Sequence, residues 1–118
     1  MKAEDYINKK ALRERLDGDF ELFKELSQLF LSDSPKLVSA IQEAIKIKNS
    51  EKIGKTSHTI KGAVANFSAE KAFNAALTLE KMGKNQELEK VEEAFNDLTN
   101  EIENMRQALR QILDENSL

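Results

Sequence analysis

The sequence predicts an all-α protein, an antiparallel up-and-down four-helix bundle with a short extra N-terminal helix and a long C-terminal helix. Apolar residues recur at three-, four- and seven-residue steps in one segment after another, the spacing of a helix with one buried face. Nothing alternates with period two for long enough to make a strand. Short joins between the periodic segments make successive helices antiparallel neighbours. The 118 residues are read as one domain, residues 1–118, large enough to bury a single core.

Taken in order, residues 1–8 are polar and expected to be loose. Lys9 to Leu16 can form a short helix with Leu12 and Leu16 one turn apart. Asp17-Gly18-Asp19 breaks it, with Gly18 as a left-handed C-cap and Asp19 as an N-cap. Asp19 to about Leu31 carries Leu22, Phe23, Leu26, Leu29 and Phe30 as a core face. Ser32-Asp33-Ser34-Pro35 marks a boundary, with Ser34 as N-cap and Pro35 at the first helical position. The following helix, to about Lys48, buries Leu37, Val38, Ile41, Ala44 and Ile45. After the tight join Asn49-Ser50 comes a helix to about Asn66 with the stripe Ile53, Ile60, Val64 and Phe67. Ser68 is placed as cap of a helix from Ala69 to about Met82 that buries Ala72, Phe73, Ala76 and Leu79, and Gly83 to Asn85 turns the chain. From about Gln86 to Leu113, Leu88, Val91, Phe95, Leu98, Ile102, Met105, Leu109 and Ile112 form a heptad-like seam, with 114–118 as a frayed tail. At 1.5 Å per residue that helix spans roughly 42 Å, longer than the others, so part of it must overhang, break or pack on the N-terminal helix.

His58, the only histidine, lies off the stripe of its helix. At about 100° per residue it sits roughly 140 to 180° from Ile53, Ile60 and Phe67, and so points to solvent. Gly54 and Gly62 lie one turn before and after it, Ala65 two turns on, and Lys55 and Lys61 flank it three residues away on either side. A helical glycine costs about 0.8–1 kcal/mol relative to alanine, so two around one imidazole call for a reason. Access supplies it: side chains are removed so that a folded partner can reach the ring, and ammonium groups stand ready for an anion. Across the turn near Phe67, a residue about a dozen beyond comes level with His58, which makes Glu80 its neighbour. Lys84 follows one helical turn later.

His58-Thr-Ile-Lys61-Gly62-Ala63, followed by Asn66-Phe67-Ser68-Ala69, resembles the signature of histidine-containing phosphotransfer (HPt) domains of phosphorelays. The resemblance is strongest from Thr56 to Ala69, and Ala65 and Ser68 stand where such domains often carry glycine. It implies a helical bundle in which His58 accepts a phosphoryl group at Nε2, Lys61 helps to neutralise it, and Gly62 leaves room for a receiver domain. It implies Glu80 as the group that orients Nδ1, with Lys84 as a further phosphoryl-stabilising cation; Lys55 is assigned the same role from its place three residues before His58. The implied partners are receiver domains of response regulators or a hybrid sensor histidine kinase. Docking would cover the His58 face and the neighbouring short helix, with Leu12, Leu16 and Phe20 as apolar contacts. The implied protein is a monomeric carrier rather than an enzyme, with Mg²⁺ expected only on the receiver.

Composition is compatible with that implication. Charged residues make up 33% of the chain and the net charge is −3, without the basic block of a nucleic-acid binder. The absence of cysteine removes thiolate metal sites and disulfides and fits a reducing, cytoplasmic setting. No signal-like or membrane-spanning apolar run is visible. With no phosphate-cradling glycine loop and no metal-ligand cluster, neither ATP chemistry nor a cofactor of its own is expected. The alternative is a helical adaptor built on the C-terminal heptad seam, for which His58 would be incidental.

Overall fold

The computed structural model describes residues 2–116 and 118. After a 3₁₀ turn at Ala3–Asp5 come five helices, α1 (Lys9–Arg15), α2 (Phe20–Lys46), α3 (Ser50–Ala65), α4 (Glu70–Lys84) and α5 (Val91–Glu115). No strand occurs among the described residues. Three helices start on a side chain that accepts an otherwise orphaned backbone N–H: Asn8 from Ala11, Asp19 from Leu22 and Asn49 from Lys52, each at 3.0 Å. Helices α2 to α5 form the bundle, 42 Å in its longest dimension, and α1 with the 3₁₀ turn closes one end.

The boundary predicted at Ser32–Pro35 does not exist; α2 runs unbroken through it. A proline inside a helix leaves the carbonyl four residues earlier without its donor, a defect of about 3 kcal/mol or more when nothing compensates. Here that carbonyl belongs to Leu31, and the Arg106 guanidinium of α5 donates to it at 2.7 Å. The same nitrogen donates to Ser34 Oγ, also at 2.7 Å. A tertiary donor therefore replaces the local one. Arg106→Leu is expected to lower stability by about 2 kcal/mol, the cost of a stranded acceptor. Pro35→Ala in that background should restore more than half of the loss, which urea unfolding of the four combinations measures.

The inward side of α2 agrees only in part with the predicted one. Its buried residues are Phe23, Ser27, Phe30, Ser34, Ile41 and Ala44, while Leu22 and Leu29, predicted as core, are 38% and 58% exposed. The ring of Phe67 stands edge-on to Phe23 and Phe30, with centroids at 6.4 and 5.5 Å, and so ties the α3–α4 join to α2. Ser68 does not cap α4; it takes φ 54° as the left-handed residue ending α3, with its N–H bonded to Ala65 and that of Ala69 to Val64. Ala69 occupies the N-cap of α4 without a side-chain bond.

The heptad seam is one wall of this bundle. Leu98, Ile102, Met105, Leu109 and Ile112 are all buried, which removes the free apolar face that an adaptor built on the seam would use. Helix α5 begins at Val91, five residues later than predicted, and Gln86 is a left-handed turn residue. Its far end does not overhang, because the 3₁₀ turn packs against it. Ala3 and Ile7 are buried, so the looseness expected of residues 1–8 does not hold for the described part of that segment. At this same end α5 continues to Glu115, and the Leu118 carbonyl accepts from Arg13 at 3.0 Å. Met1 and Ser117 lie outside the described residues.

Candidate functional site

Burying Ile53, Ile60 and Val64 turns His58 outwards on α3, opposite the second turn from the end of α4. The imidazole is 66% exposed, whereas the Glu80 side chain beside it is only 2% exposed. His58 Nδ1 and Glu80 Oε2 are 2.7 Å apart. Lys61 donates to Glu80 Oε1 at 2.6 Å and Lys84 to Oε2 at 3.0 Å. One carboxylate thus collects three nitrogen donors.

A carboxylate this buried is stable as an anion only if it is paired and hydrogen-bonded. Burial alone would raise the Glu80 pKa, but hydrogen bonds from Lys61, Lys84 and His58 outweigh it and hold the group down at about 2. An ionised carboxylate has no proton to donate, so the ring nitrogen facing it carries the hydrogen. The Nε2 lone pair is then left on the exposed side of the ring, where it has no hydrogen-bond partner among the described residues. Chemically this is a nucleophilic nitrogen held in one tautomer, with two ammonium groups bound to the same carboxylate as the ring and open solvent in front.

The family model described as Hpt domain matches residues 25–111, most of the chain and all of α3 and α4. The chain belongs to the Hpt domain family. No curated protein and no solved structure matches it. As a family, Hpt domains are phosphotransfer carriers of phosphorelays that interact with receiver domains.

The remaining residues singled out in the sequence fall into different places on the Hpt domain. Gly62 is exposed, and a Cβ built on it meets nothing within 4 Å. The fold therefore has no use for a glycine there. Gly62→Ala is expected to stabilise the protein by about 0.8–1 kcal/mol, read from thermal or urea unfolding. Gly54 corrects the expectation of a cleared outer face: it is buried against α4, where a Cβ would lie 3.4 Å from the Lys84 nitrogen and 3.6 Å from the Glu80 carbonyl. It also borders a groove that runs past His58 and is flanked by Ser50, Lys55 and Lys84. Lys55 stays away from the cluster and pairs with Glu51 at 2.7 Å. Ala65 is half-buried and lines a different depression, with Asn8 and Phe73.

Leu12 and Leu16 are core residues of the Hpt domain, 0% and 7% exposed, and so cannot be the apolar docking contacts expected of them. Their helical spacing signals burial and partner contact equally well, and closing the end of the bundle takes precedence. Phe20 is half-buried against Phe23. Gly83, expected in the turn after α4, is instead buried inside α4 against Gly54. Its three-residue distance from Glu80, set against the four residues from Gly54 to His58, is the signal that could have revealed it.

Proposed function

We propose that this Hpt domain relays a phosphoryl group between His58 Nε2 and the aspartate of a receiver domain, in either direction. The observation that carries the reading is the exposed ring whose Nδ1 is bound to the buried Glu80 anion. In the forward step the Nε2 lone pair forms a bond to phosphorus as the bond from phosphorus to the aspartyl oxygen breaks, and the aspartate leaves as a carboxylate. The ring keeps its Nδ1 hydrogen and gains positive charge, which Glu80 offsets at 2.7 Å. Lys61 and Lys84, tied to Glu80 while the ring is free, can turn to the phosphoryl oxygens once these arrive. Mg²⁺ belongs to the receiver's aspartate site, and the Hpt domain contributes no cofactor of its own. Open space at Gly62 admits the receiver, and a chain without cysteine suits the cytoplasm.

The reading is tested by incubating the protein with a panel of receiver domains carrying labelled aspartyl phosphate. Label that moves to this chain and is acid-labile but alkali-stable is the expected result. Failure to accept label from every receiver would remove the proposal.

A further inference from the structure

We propose that Gly83 is a positioning residue, whose missing side chain lets α4 cross α3 closely enough for Glu80 to reach His58 Nδ1. The inference rests on the phosphotransfer reading for the use of that hydrogen bond, not for its existence. The two glycines at the crossing are not equivalent. A Cβ on Gly83 would stand 2.4 Å from the Gly54 nitrogen, 2.8 Å from its Cα and 2.8 Å from the Ser50 carbonyl oxygen. All three obstacles are backbone and cannot swing aside. A Cβ on Gly54 meets its nearest neighbours at 3.4 to 3.6 Å, which is ordinary contact.

Glu80 lies one turn before Gly83 on α4, and His58 one turn after Gly54 on α3. The glycine crossing and the Glu80–His58 bond are therefore successive rungs of one antiparallel contact. Opening the first beyond 3.0 Å moves the helices apart by more than about half an ångström. That is the whole tolerance of a preorganised site, and it carries the 2.7 Å hydrogen bond to the long end of the hydrogen-bonding range. The carboxylate is too buried to follow the ring by turning outwards.

The test compares Gly83→Ala with Gly54→Ala in the full chain. The side-chain nitrogens and Nδ1 hydrogen of His58 are followed by ¹⁵N-edited NMR, helix content by circular dichroism, and transfer from a phosphorylated receiver by its kcat and KM. In Gly83→Ala we expect helix content kept, the hydrogen-bonded Nδ1–H signal lost to a mixture of tautomers, and kcat lowered about tenfold to a hundredfold with KM for the receiver held. Gly54→Ala should retain the wild-type signal. If Gly83→Ala does not fold, it is read by NMR alone in the Gly62→Ala background. Unfolding there too, or an Nδ1–H signal kept in Gly83→Ala, overturns the proposal. Loss of the signal in a protein whose wild type accepts no phosphate would sustain the positioning role and end the phosphotransfer reading instead.

Discussion

His58→Gln is expected to accept no measurable phosphoryl group, a loss on the order of a thousandfold or more, while its unfolding free energy stays within about 1 kcal/mol of wild type. The amide of glutamine has no nucleophilic nitrogen, so no partial activity is available from it. The fold has little at stake in the ring itself, which is 66% exposed and outside the core. Its one side-chain hydrogen bond among the described residues, to Glu80, is kept in kind, because an amide N–H can donate to the same carboxylate oxygen. Labelling by a phosphorylated receiver and urea unfolding, made on the same preparation, check both halves. An unfolded variant would show that the imidazole is structural, and a labelled one that another side chain takes the phosphate.

Acid is expected to remove about 3 kcal/mol of stability from the wild type that Glu80→Gln does not lose. Glu80 has an ordinary pKa of 4.5 and is held at about 2 in the folded protein. Its folded pKa is the lower one, so the folded state binds this proton less readily than the unfolded chain does. The contribution is complete above pH 4.5 and drains away as the pH falls through about 2. A glutamine has no such proton, so its stability curve lacks that slope. Urea midpoints at a series of pH values from 6 down to about 2 measure the difference. Parallel curves for the two proteins would show that Glu80 is not the paired anion that the geometry describes.

What the sequence could show depended on how local each determinant is. The outward direction of His58 follows from its own helix, and its level with Glu80 follows from two helices meeting at one short turn, so counting residues reaches both. The starts of α2 and α3 were legible because Asp19 and Asn49 act on their own first turns. The course of α2 was not, since the rescue of Pro35 comes from Arg106, far along the chain. Reading Ser32–Pro35 as a terminator is sound local chemistry that a distant guanidinium overrides. Within that continuous helix Ser27 and Ser34 face inwards and Leu29 outwards. Gly54 and Gly83 show a further limit: a glycine that makes room for a partner protein and one that makes room for a neighbouring helix look alike until the approach of the backbones is known.

All of this converges on a single nitrogen. The most direct test is to phosphorylate the ¹⁵N-histidine-labelled protein from a receiver and identify the phosphorylated nitrogen by ¹⁵N and ³¹P NMR. The account requires phosphorus on Nε2 of His58, with Nδ1 still carrying its hydrogen against Glu80. Phosphorus on Nδ1, or on any other residue, would contradict it.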